Sequence, residues 1–131
     1  LFFNPLPSPV RLLDTRAGES ACDAPGAPLG ANATRTETAH GTCFGLTIPT
    51  TAKVVVGNGT VVNSPTISSG DHWIKLYPFG TPLPTASNLN FTANQIVANA
   101  FVVGLSADGK FNIYSHASTH FIVDLAGYFT P

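Results

Sequence analysis

Arg11, Asp14 and Arg16 fall within six consecutive positions of the stretch SPVRLLDTRAG, in a chain of which only 10% is charged. Set among Val10, Leu12 and Leu13, such a cluster does one of two things. It holds a ligand or reacting group, or it forms a buried ionic lock. In an extended chain Leu12, Asp14 and Arg16 share one face, and Arg11, Leu13 and Thr15 share the other. The other acid in core-like sequence is Asp124, between Val123 and Leu125. The lock reading therefore expects Arg16 to reach Asp124 or the backbone beside it, tying the first strand to the last. Asp14 would accept hydrogen bonds from a neighbouring loop.

Other reactive residues offer less. His116 and His120 have the H-x-x-x-H spacing that binds zinc on a helix, but they span SHASTH, a turn between strands, where that geometry is absent. The acids Glu19, Asp23 and Glu37 fall in expected loops, and Asp108 precedes Gly109 in a turn. A glycosidase needs two carboxyls across a cleft, and no such pair can be read from the chain. No G-x-S-x-G elbow occurs, and GNGT at 57–60 reads as a turn without the lysine of a phosphate loop. Loops rich in Asp and Asn could take calcium, but no EF-hand-like spacing supports it. No catalysis, metal or cofactor is expected. Asn32, Asn58 and Asn90 each begin an N-x-T glycosylation sequon. Trp73, Tyr77, Tyr114 and Tyr128 either form a sugar-stacking platform or cover a sheet as ordinary strand aromatics.

The elements that must position these residues are strands. Val- and Thr-rich segments alternate with Gly and Pro turns, and Lys, Glu and Met are scarce. Strand patterns recur in VRLLDTR, FGLTI, AKVVVGN, TVVN, HWIKLYPF, NLNFT, IVANAFVVGL, FNIYSH and HFIVDLAGYF, with a polar strand around TRTETAH. The Asp108-Gly109 turn and its flanks read as a hairpin. Residues 17–43 form a long loop around Cys22, and SPTISSGD is a further turn-rich segment. About eight short strands at intervals of about 10 residues predict an antiparallel β-sandwich, jelly-roll-like or Ig-like. No amphipathic helix is evident. The domain reading is an extended Pro-rich arm over 1–9 and one sandwich over 10–131.

Composition restricts the partners. A net charge of −1 and a pI near 6.4 leave no electrostatic footprint for nucleic acid or anionic lipid. No apolar run approaches the roughly 20 residues of a membrane span. The chain starts at Leu1 and contains no Met, which suggests a processed, exported chain. Cys22 and Cys43, both in polar Gly- and Pro-containing sequence, suit a disulfide closing about 22 residues and contributing about 3 kcal/mol. Two free loop thiols are the alternative. Ahead of the first strand, LFFNPLPSP cannot be helical, and Leu1, Phe2 and Phe3 must pack on their own domain or on a neighbour.

SPVRLLDTRAG, NGTVV, IKLYPFG, ASNLNF, VANAFVVGL, DGKFNIY and HFIVDLAGYF, in that order, resemble a domain common in secreted and surface proteins of bacteria. That family recurs in tandem beside enzymes or adhesive modules and has no established catalysis. The resemblance spans nearly the whole chain and lapses over 19–43, the Cys-containing insertion. It implies a β-rich extracellular or cell-surface domain with a structural or adhesive role. In tandem copies the GYF end of one leads to the PVRLLDTR start of the next. Separate subunits could reproduce that arrangement, with Leu1, Phe2, Phe3, Pro5 and Leu6 of one packing on, or adding a strand to, the next copy in a homopolymer. The alternatives are a monomeric adhesin that binds surface glycans and a passive spacer domain.

Overall fold

The computed structural model describes residues 1–62 and 68–131 and is all-β. Ten strands follow one another: β1 (Phe2–Asp14), β2 (Ala33–Thr38), β3 (Gly41–Cys43), β4 (Leu46–Ile48), β5 (Val54–Val62), β6 (His72–Pro78), β7 (Leu89–Phe91), β8 (Ile96–Gly104), β9 (Lys110–Ser115) and β10 (His120–Thr130). Two four-stranded antiparallel sheets face each other, in the orders β1-β10-β5-β8 and β2-β9-β6-β7. The partners β1/β10, β2/β9, β5/β8 and β6/β7 are nested, as in a long antiparallel ribbon rolled onto itself. This is a jelly-roll sandwich, with β3 and β4 as an inserted hairpin.

Alternation dictates the core. Val10, Leu13, Val55, Val61, Phe101, Val103, Phe121, Val123 and Leu125 from the first sheet meet Ile74, Leu89, Phe91, Phe111 and Ile113 from the second. Two sequence expectations change here. The GNGT turn does not exist, because β5 runs unbroken through it. A Cβ on Gly57 would lie 3.0 Å from Phe101 Cζ, and one on Gly59 would lie 2.7 Å from Phe121 Cζ. These glycines make room for core aromatics. Nor does Asp108-Gly109 close a hairpin, since β8 and β9 belong to different sheets. Gly109 supplies the positive φ of 77° for a turn that crosses the sandwich. The turn expected over SPTISSGD lies partly outside the described residues.

The Pro-rich arm is continuous with the first strand. Phe2 to Pro5 pair in register with Thr130 to Gly127, the register then slips, and pairing resumes at Val10 opposite Leu125. Pro7 and Pro9 lie in the slipped segment, where they have no ladder hydrogen bond to donate. The outer edge of β1 beyond Val10 is covered by the long loop. Cys22 N donates to Arg11 O (3.0 Å), Asp23 N to Leu12 O (2.8 Å), and Asp14 N to Asp23 O (3.1 Å). The Cys22–Cys43 disulfide fastens that cover to β3, across a sequence separation of 21. Joint replacement of both cysteines by Ala is expected to remove about 3 kcal/mol of stability. In a thermal melt that is a fall of about 10 °C; an unchanged midpoint would mean that hydrogen bonds alone hold the loop.

Candidate functional site

The charged cluster is a lock with a different partner scheme from the expected one. Asp14, at the end of β1, is fully buried. Its Oδ1 accepts from Arg16 N (3.1 Å) and Arg16 Nε (3.0 Å), and its Oδ2 from Arg16 Nη2 (2.8 Å) and Arg11 Nη1 (3.4 Å). Arg16 does not reach Asp124, because it lies past the strand end and folds back onto Asp14. Arg11 takes that role instead. It sits opposite Asp124 in the β1/β10 register and grips it with Nε to Oδ1 (2.9 Å) and Nη2 to Oδ2 (3.3 Å). A register slip between Arg11 and Leu13 turns Arg11 to the same side as Asp14, against strict alternation. Asp124 lies on the outer face of the sheet and is only partly covered. Hydrogen bonds from Arg16 hold the Asp14 carboxyl below the usual carboxylate range, against the burial that opposes ionisation. Both carboxylates are committed to guanidinium donors, an arrangement that ties β1 to β10.

The Arg11–Asp124 pair also walls a groove on the outer face of the first sheet. Pro9, Val56, Ala100 and Ala126 line it with the ion pair, around a volume of about 730 Å³. Cross-strand rows continue the apolar character, with Phe3, Phe129 and Val54 in one and Pro5, Gly127, Val56 and Val102 in the next. The Phe3 and Phe129 rings lie 5.2 Å apart, and a Cβ on Gly127 would come within 2.6 Å of the Phe3 ring. Sheets of this kind normally show polar residues to solvent on the face away from the core. The second sheet does so, with Thr36 Oγ1 donating to Asn112 Oδ1 and Lys75 Nζ to Pro84 O. On the first sheet, Ile96 and Val102 stand 71% and 64% exposed, and at the head of β1 Leu1 and Phe2 stand 71% and 73% exposed. Leu6 tucks against the chain's own core.

The histidines regroup. His116 and His120 do not act together. His116 Nδ1 lies 3.0 Å from His72 Nδ1, and His120 Nδ1 lies 3.0 Å from Thr15 Oγ1. The Trp73 ring stacks on His116 at 3.7 Å. Residues 72 and 116 show no motif spacing, because they meet through sheet pairing alone. The four large aromatics are not one platform. Trp73, Tyr77 and Tyr114 belong to the second sheet and Tyr128 to the first. Of the sequon asparagines, Asn32 sits in an exposed turn, Asn90 is exposed on β7, and Asn58 is half-buried in β5 beside the groove. Among the described residues, no three His, Cys, Asp or Glu gather to hold a metal ion. No helix of the described chain is long and apolar enough to cross a membrane.

Glu37, read as a loop acid but also within the polar strand expected around TRTETAH, lies in that strand, β2, and is buried, 4% exposed. Arg35 Nε donates to its Oε1 (2.8 Å), and Arg35 Nη2 donates to Asp23 Oδ2. Burial first, then the hydrogen bond to neighbouring Asp23, push the Glu37 carboxyl up to about 8. One guanidinium thus serves two acids, which favours keeping a proton between them. No protein-family model matches the chain. No curated protein matches it either.

Proposed function

We propose that the domain is an extracellular structural subunit that assembles head-to-tail with copies of itself through its N-terminal arm. The observation that carries this reading is the exposure of Leu1 and Phe2 at the head of a strand. Only Phe2 to Pro5 pair with β10 before the register fails through Pro7 and Pro9. With Phe2 to Pro5 held on their own β10, the exposed side chains of Leu1 and Phe2 are left to pack on another copy, a head-to-tail contact between different surfaces of one subunit. The disulfide suits an oxidising compartment. The resemblance to tandem surface domains supplies the head-to-tail sense. A glycan-binding module would need open aromatic faces, but Trp73 already has His116 stacked on it.

Removal of residues 1–9 is expected to leave a folded monomer and abolish assembly, read by circular dichroism and by electron microscopy. Because the deletion also strips an edge of β10, Phe2→Asp in the full chain provides a second test at an exposed position. Rods formed by Phe2→Asp as by the parent chain would overturn the reading. Isolated particles from the parent chain at high concentration would also overturn it, in favour of a spacer or monomeric adhesin.

A further inference from the structure

We infer that the groove on the outer face of the β1-β10-β5-β8 sheet is the receptor for Leu1 and Phe2 of a second copy. The inference rests on the assembly reading and assigns its acceptor site. The groove is an open depression of about 730 Å³ on the sheet surface, with Val56, Ala100 and Ala126 as apolar lining, Pro9 at its side, and Ser20 and Asn58 as polar lining. The chain itself shows how this surface accepts an aromatic. The Phe3 ring packs against Phe129 and over Gly127, one row along the same face. That cis contact uses Phe3 and leaves Leu1 and Phe2 projecting past Phe129, toward the end of β10 remote from Asp124. A chain's own Leu1 and Phe2 therefore lie away from its own groove, and the groove is open to another copy.

The chemistry of the lining selects the occupant. Among the described residues lining the groove the one cation, Arg11, is already paired with Asp124 and Asp14, so phosphate groups of nucleic acid or lipid find no free charge there. An apolar side chain finds Pro9, Val56, Ala100 and Ala126, set between the ion pair and the polar Ser20 and Asn58. The net charge of −1 puts little repulsion between copies. Phe2 and Leu1 are among the most exposed large apolar side chains of the chain. Donor and acceptor are different surfaces of one subunit, so the contact is heterologous. Where its rotation does not close, it propagates as a filament.

The test uses full-length variants at exposed or groove-facing positions. Ala100→Arg fills the groove and is expected to give folded monomers, as is Phe2→Asp. A Phe2→Cys/Ala100→Cys pair is expected to form covalent ladders between copies on oxidation, and neither single variant should do so. The native cysteines do not compete, since both are in the disulfide. Rods from Ala100→Arg with monomers from Phe2→Asp would overturn the groove assignment and leave the arm reading standing. Rods from both would overturn both, as would a parent chain that never assembles. Failure of the double-cysteine chain to cross-link while still forming rods would also place the arm elsewhere.

Discussion

Replacement of Asp14 by Ala is expected to destabilise the domain by about 3–5 kcal/mol, the cost typical of breaking a buried ion pair from one side. Asp14 is 0% exposed and accepts from one backbone N–H and two guanidinium groups. Ala would leave the Arg16 N–H and the Arg16 fork without their acceptor beside the buried Leu12 and Leu13, while Arg11 would lose one long contact and keep its grip on Asp124. Against a total stability of about 5–15 kcal/mol for a domain of this kind, the loss is a large share. Chemical denaturation should show a lower midpoint at an unchanged slope. Asp124→Ala is the control. Its carboxylate is partly solvated and faces a half-exposed Arg11, so its loss should cost about 1 kcal/mol or less. Equal losses at the two positions would mean that the lock is a surface feature. Because the folded Asp14 is more acidic than the ordinary value of 3.8, its contribution is present above that pH and is lost as the pH falls through the folded pKa.

The contrast between these two acids also marks how far the sequence could be read. Alternation and turn residues were enough for an all-β sandwich, since Val-, Ile- and Phe-rich runs have few other ways to bury themselves. They also pointed to Asp14, Arg16 and Asp124 as a network, but not to Arg11 as the residue that holds Asp124. Which arginine reaches Asp124 depended on a register slip between Arg11 and Leu13, and nothing in residue type announces a slip. Gly57 and Gly59 read as a turn because glycine is the commonest turn residue. Their role is to leave space for Phe101 and Phe121, whose sequence distance hides the contact. Asp108-Gly109 is a turn in both readings, but whether a turn joins neighbours in one sheet or crosses between two is a matter of topology. His72 with His116 and Glu37 with Asp23 were out of reach for the same reason. Each pair is assembled by packing between segments distant in the chain.

Glu37 leads to the second large effect, a loss of stability with rising pH. The carboxyl titrates at about 8 in the folded chain, against an ordinary 4.5. Between those values the folded state binds more protons than the unfolded one, so stability falls as pH increases. The contribution is complete below about 4.5 and is lost as the pH passes through about 8. Its size is on the order of a few kcal/mol. Asp14 and Asp23 work in the opposite sense, since their lowered pKa values remove stability only in stronger acid. The melting temperature should therefore peak in mild acid and decline by pH 9. Glu37→Gln keeps a donor toward Asp23 and cannot ionise. It should match the parent chain near pH 5, exceed it at pH 9 and show a flatter profile between them. A parent profile that is flat from pH 5 to 9 would exclude the effect. The first place to loosen follows from the hydrogen bonds. Ionised Glu37 competes with Asp23 for Arg35, and the Asp23 backbone covers β1 through Leu12 O and Asp14 N. Hydrogen exchange at alkaline pH should therefore quicken at Asp14 and Asp23, beyond the intrinsic rate change, before it does so in β5 or β9.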